Sequence, residues 1–278
     1  MLGKAALVRW VDRAVVSVPG GRQALDLYSA VKLAKLADIA DRIRWMRRKD
    51  SGTARPVPGM LRMISVAGTP SIGWFLKSGA AAVDCLRQAL GRQGRRLEDC
   101  RAILDFGSGC GRVLRHLEPL AAGTRICGVD INSASIGWSK KNLPFAESEF
   151  CPLDPPLPYA AGTFDLIYAL SVFTHLPQSL QFAWIAEMAR LLRQGGLLFF
   201  TAHGVSYASD LQDEERREFE KGHLVVRRAA TAGSNWCGAY HPRAWVEANL
   251  LQDFRLLEHV PEGALGNPHQ DYYLLEKI

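Results

Sequence analysis

From Arg101 to His203 the chain repeats one pattern, in which a short and continuously apolar run is followed by a longer segment with helical spacing. The runs are AILDF (102–106), TRICGVD (124–130), the weaker SEFC (148–151), FDLIYAL (164–170) and GLLFFTA (196–202). A strand with one wet face alternates polar and apolar residues, so unbroken runs mark strands buried on both faces. Buried runs alternating with helices form a mostly parallel sheet covered on each side, an α/β fold. With 48% hydrophobic and 22% charged residues in 278, the chain can bury such a core. The spacing predicts helices over 71–93, 112–121, up to Lys141 and through Leu192. After Gly204 the alternation stops, and the sequence predicts a helix over 210–221, a strand in HLVVRR, a Gly/Ser loop, a helix over 242–251, and strands FRLLEHV and DYYLLEK.

The first 55 residues read differently. Pro19-Gly20-Gly21 breaks them in two. From Arg22 to Arg48, Leu25, Tyr28, Leu36, Ile39, Ile43 and Met46 recur at helical spacing, opposite Lys32, Lys35, Asp38 and Arg42. A Pro/Gly-rich linker, Ser51 to Gly59, then separates a basic helical extension (1–55) from a main body (56–278). The formal charge of +6 belongs to the extension: residues 1–50 hold 11 Lys/Arg and 5 Asp, whereas 51–278 hold 23 groups of each sign. A nucleic-acid binder would carry its basic stripe on the working domain, so no nucleic-acid partner is expected. The cluster Arg42, Arg44, Arg47, Arg48 and Lys49 complements a helix C-terminus, or docks peripherally on an anionic membrane or a partner.

The chemistry starts at Asp105-Phe106-Gly107-Ser108-Gly109-Cys110-Gly111, between a strand and an expected helix. A sharp strand-to-helix turn needs residues without a Cβ where a ligand approaches, and it leaves free N–H groups. A dinucleotide fingerprint requires glycine three residues after Gly109, where Arg112 stands. An acid at the mouth of the turn repels a pyrophosphate and suits an ammonium group. Asp130 ends the next strand, 19 residues after Gly111. Its carboxylate can accept both hydrogens of a ribose diol as charge-assisted bonds. The ligand indicated is a nucleoside with a cationic amino-acid tail.

These pieces, ILDFGSGCGR, ICGVDIN, PLPYAAGTFDLIYALSVFTHL and ARLLRQGGLLFFTAHG, resemble a class I S-adenosylmethionine-dependent methyltransferase over about residues 60–278, of a bacterial subgroup acting on small molecules or sugars. The resemblance implies a Rossmann-like seven-stranded sheet of order 3-2-1-4-5-7-6 with strand 7 antiparallel. It implies that Asp105, Gly107, Gly109 and Gly111 hold the methionine moiety, Asp130 with Ile131 beside it the ribose, and Phe150 and Cys151 flank the adenine. At Cys151 the sequence departs from relatives that carry a polar side chain there. Ala169, Leu170 and Ser171 would face the sulfonium.

Methyl transfer from a sulfonium is an in-line displacement that requires alignment and, for some acceptors, proton removal. His175, four residues after Ser171, is the first candidate base; His203 and Tyr240, the latter in the 205–245 segment expected on the acceptor side, are the others. Each of the three also has a plain packing role to fill. Trp236, Tyr240 and Trp74 could form an aromatic wall, and His241 adjoins Tyr240. No acid follows the fourth strand, which argues against a metal site. Asp154-Pro155-Pro156-Leu157 imitates an amino-methylation motif but precedes that strand, so it reads as a rigid connection. The expectation is a metal-independent methyltransferase acting on a hydroxyl of a small-molecule or carbohydrate acceptor. N-methylation and an idle cofactor-binding scaffold are the alternatives. Scattered cysteines without zinc spacing fit a reducing, cytoplasmic compartment, and charges at Arg9, Asp12 and Arg13 break any leader-like run.

Overall fold

The computed structural model describes residues 42, 43, 45 and 55–278. The chain divides into two compact units, 1–76 and 77–278. The expected break at 19–21, most of the amphipathic helix over 22–48, and Arg44, Arg47, Arg48 and Lys49 lie outside the described residues.

Within the first unit, helix α1 (Met60–Ala67) directly follows the expected linker, and Gly68 ends it with φ 66° and an N–H donated to the Ile64 carbonyl. Arg42, one member of the basic cluster, is turned inward: its Nη2 donates to the Pro58 carbonyl at 2.9 Å and lies 3.3 Å from the Met63 sulfur. Helix α2 (Ile72–Arg92) starts where the Ser71 hydroxyl accepts the Trp74 N–H at 3.2 Å.

The second unit is built on a seven-stranded sheet. Its strands are β1 (Ala102–Phe106), β2 (Arg125–Asp130), β3 (Glu147–Phe150), β4 (Phe164–Ala169), β5 (Leu192–Ala202), β8 (Phe254–Val260) and β9 (Asp271–Lys277). The order is β3-β2-β1-β4-β5-β9-β8. The first five are mutually parallel, and β9 runs antiparallel to both β5 and β8. Two further strands, β6 (Val225–Arg227) and β7 (Gly238–Tyr240), pair separately as an antiparallel ribbon. With the ribbon set aside, this is the expected order and the expected single reversed strand.

Successive side chains of a strand point to opposite faces, which explains why the central strands β1, β4 and β5 are largely apolar on both, whereas the edge strand β3 buries only Ser148. Leu104, Ile167, Phe200 and Tyr273 pack on one face with Trp184 and Met188 of helix α4 (Gln178–Leu191) and Val246 of helix α6 (Arg243–Asn249). Their neighbours Ile103, Leu166, Phe199 and Tyr272 pack on the other with Leu86 and Leu90 of α2. Helix α3 (Ser133–Asn142) joins β2 to β3, and helix α5 (Asp213–Glu220) leads into the ribbon.

The helix expected over 112–121 is not an α-helix. Gly107, Gly109 and Gly111 all have positive φ (84°, 54° and 74°), and the chain then tightens into a 3-10 helix, Leu114–Leu120, with Pro119 inside it. Proline lacks the N–H an α-helix needs there, and the turn uses the residues that would have formed its first turn. Tyr240, expected in a loop, lies in β7 and packs with Leu211, Phe219 and Val225.

Candidate active site

The parallel strands end along one edge of the sheet, where a doubly wound fold leaves its crevice. The glycine turn leaves β1 there and is tied to β2, since Gly107 and Ser108 both donate N–H to the Val129 carbonyl, at 2.8 and 2.9 Å. A Cβ on Gly107 would stand 2.4 Å from Val172 Cγ2, so the segment after β4 lies directly on the turn. Asp105 is 4% exposed, and its Oδ2 has no hydrogen-bond partner. Burial pushes its carboxyl up to about 7, with Asp130 adding to the rise and Tyr168 and Arg112 opposing it. A buried acceptor without a donor, at the mouth of a glycine cradle, fits a ligand that brings an ammonium group.

Asp130 does structural work as well. Its Oδ2 accepts the Gly109 N–H and its Oδ1 the Asn132 N–H, both at 2.7 Å. Burial raises its pKa while these two N–H groups oppose the rise. Each oxygen keeps a second lone pair, so a ribose diol can still be accepted. Asn132 in turn caps α3 by accepting the Ser135 N–H at 3.0 Å, and Ile131 lies between the two residues. Phe150 is paired in register with Asp130 and is 52% exposed. Cys151 is buried; its thiol donates to the Pro152 carbonyl and is pushed up to about 12 by burial. It therefore offers a turned-in thiol that stays protonated.

After β4 the chain passes Leu170 and turns at Ser171, which has φ 60° although it is not glycine. A short 3-10 turn, Phe173–His175, follows. His175 Nδ1 stands 2.6 Å from the Cys237 carbonyl oxygen. A carbonyl only accepts, so Nδ1 carries the proton and Nε2 is the basic nitrogen, with no hydrogen-bond partner among the described residues. Burial lowers the His175 pKa, and the Cys237 carbonyl acts against that.

The structure brings the three candidate bases together. The His203 ring lies 6.4 Å from that of His175 at 90°, stacks on Tyr207 at 4.1 Å, and stands 5.5 Å from the Tyr240 ring. Burial and the His175 charge push His203 down to about 4. Tyr240 is 8% exposed and carries the Arg227 guanidinium over its ring at 5.5 Å, so it serves as a packed wall. The half-buried Trp236 has Arg228 over its ring at 5.4 Å. Trp74 belongs to the first unit. His241 is a core residue: fully buried, pushed down to about 3, it pairs with Gln181 Oε1 through Nε2. Among the described residues no three His, Cys, Asp or Glu side chains are grouped as metal ligands.

Sequence reasoning missed Thr201, Thr174, Tyr207 and Gln270 around this site. Only Thr201 had a visible signal, as a hydroxyl inside the otherwise apolar run GLLFFTA.

Residues 104–200, which span the glycine turn, Asp130 and His175, match the methyltransferase domain family. A malonyl-[acyl-carrier protein] O-methyltransferase of Legionella pneumophila is 31% identical over 119 residues, covering 40% of this chain and 39% of that protein. The chain thus spans about two fifths of that relative's length. Among solved structures, an S-adenosylmethionine-dependent methyltransferase of Methanosarcina mazei superposes with a TM-score of 0.50 at 20% identity, over 67% of this chain and 96% of the other. One from Mesorhizobium loti superposes with a TM-score of 0.50 at 15% identity, over 63% and 90%. The seven-stranded sheet and the glycine turn agree with the methyltransferase-domain match over residues 104–200.

Proposed function

We propose that the protein is a metal-independent methyltransferase that acts on a hydroxyl of a small-molecule or carbohydrate acceptor, with His175 as the base. S-adenosylmethionine, when bound, supplies the methyl group. Asp105, with its unpartnered Oδ2, receives the ammonium end, Asp130 the ribose diol, and the exposed Phe150 ring the adenine. The observation that carries the reading is the fixed tautomer of His175: the Cys237 carbonyl holds the proton on Nδ1 and leaves Nε2 as an acceptor for a hydroxyl proton. The L. pneumophila relative is named for O-methylation, which favours oxygen over nitrogen. In this reading residues 56–278 form the working domain, 205–245 its acceptor side, and 1–55 an extension.

A base must be neutral to act, so transfer rises with pH through a midpoint below the ordinary histidine value of about 6.5 and is flat above it. The experiment is incubation of the protein with labelled cofactor and extracts of its own host, beside titration calorimetry with S-adenosylhomocysteine. His175→Gln should lower transfer by about 10²–10⁴-fold and leave cofactor affinity within about twofold. Transfer at the wild-type rate in His175→Gln removes the base assignment, and no binding by the wild type removes the activity.

A further inference from the structure

Four side chains behind His175 form a hydrogen-bond circuit that joins three elements far apart in sequence. The Ser171 N–H donates to Thr201 Oγ1 at 2.7 Å. Thr201 Oγ1, already accepting, donates to Gln270 Oε1 at 2.6 Å. That fixes the amide, whose Nε2 donates to Ser171 Oγ at 2.8 Å, and the Ser171 and Thr174 hydroxyls share a further hydrogen bond at 3.2 Å. Thr201 and Thr174 are fully buried and Gln270 is 5% exposed, so bulk water does not substitute for these three, while Ser171 is only partly buried.

The circuit holds Ser171 in the left-handed region, which a side chain disfavours and which persists only where surroundings impose it. Two consequences follow from that one bend. Val172 is laid against Gly107, where no Cβ fits, and the 3-10 turn closed by the His175 N–H on the Val172 carbonyl at 2.9 Å aims His175 at the Cys237 oxygen. The loop after β6 grips the same residue again, since the Gly233 N–H donates to the His175 carbonyl at 2.9 Å.

We propose that Thr201 and Gln270 are positioning residues: through Ser171 they set the glycine turn and the His175 ring in one geometry. The inference rests on the reading of His175 as the base and of the glycine turn as the cofactor cradle. It assigns a role to residues 26 and 95 positions beyond His175 that touch neither acceptor nor cofactor in that reading.

The test uses the full chain with Thr201→Val, which keeps the shape and removes the hydroxyl, Thr201→Ser, which restores it, and Gln270→Glu. The His175 ring-proton signal, assigned by its loss in His175→Gln, is titrated by NMR, with His203 as the titratable side chain facing it. Binding of S-adenosylhomocysteine is measured by calorimetry. In Thr201→Val the His175 midpoint should move up towards the ordinary value as the ring leaves the Cys237 carbonyl and meets water, and the dissociation constant should rise about fivefold. Thr201→Ser should restore both, and Gln270→Glu should move both in the direction of Thr201→Val. A cooperatively folded Thr201→Val with wild-type midpoint and affinity overturns the proposal, as does one with lowered thermal stability and an unmoved midpoint. If Thr201→Val does not fold, Gln270→Glu decides by the same two readings. Absence of binding by the wild type defeats the cofactor reading alone, because the His175 midpoint still decides the circuit.

Discussion

Asp105 should cost the empty protein stability, and the cost should have a defined pH profile. Its carboxyl is 4% exposed, has an oxygen without a partner, and titrates near 7 because burial disfavours the charged form. In the unfolded chain the same group titrates near 3.8. Between those values the folded chain holds a proton that the unfolded chain has released, so stability falls as pH rises from about 4 to about 7 and is flat above. At about 1.4 kcal/mol for each pH unit, the full loss is on the order of 4 kcal/mol. Asp105→Asn removes the titration without changing the shape. In urea unfolding at pH 4 to 8, the variant should match wild type near pH 4 and be more stable by up to about 4 kcal/mol at pH 8. The ammonium-bearing ligand reverses the effect, since it binds the ionised carboxylate: its affinity for the wild type should rise about tenfold per pH unit between pH 5 and 7, where an α-amino group stays charged. Calorimetry in two buffers of different ionisation enthalpy counts the proton released. A stability difference between Asp105→Asn and wild type that is constant from pH 5 to 8, or an affinity flat over pH 5 to 7, refutes the argument.

Two further outcomes are expected. Gly107→Ala combines a φ of 84° with a Cβ placed 2.4 Å from Val172 Cγ2 and should destabilise the chain by about 2–4 kcal/mol in urea unfolding; a change within about 0.5 kcal/mol would show that the turn relaxes freely. Replacing Arg44, Arg47, Arg48 and Lys49 by Gln should abolish any sedimentation with anionic liposomes and leave cofactor affinity unchanged, and equal liposome binding by both proteins would remove the membrane reading.

The parallel core was legible because its strands are buried on both faces: Ile103 and Leu104, or Phe199 and Phe200, are neighbours in sequence that serve opposite sides of the sheet. The glycine turn and Asp130 were legible because the backbone geometry and the charge each demand a particular residue at a particular strand end. What failed to show was whatever the tertiary structure imposes. Serine does not announce a left-handed conformation, and Ser171 adopts one only because Thr201 and Gln270, 30 and 99 residues away, hold it there. The apolar spacing after Gly111 reads as an α-helix, but Pro119 lies inside it and the segment forms a 3-10 helix instead. The three-residue strand β7 carries too little periodicity to read, and it exists by pairing with β6 and bridging to His203. The tautomer of His175 depends on a carbonyl 62 residues away, in a segment that sequence alone reads as a loop.

The two backbone N–H groups held by Asp130 change how the site should be probed. One carboxylate fastens the Gly109 turn to the start of α3, so the loops on either side of the crevice are ordered while the protein folds, when the whole core contributes. Ligand affinity is then not reduced by the entropy of arranging them. It also follows that Asp130→Ala does not measure a ribose contact: the substitution frees two loops and removes a ligand acceptor at once, and its effect on affinity is the sum of both. A ligand lacking the ribose hydroxyls, tested on the intact protein, isolates the contact, and the difference between the two losses is what the rigidity of the empty crevice is worth.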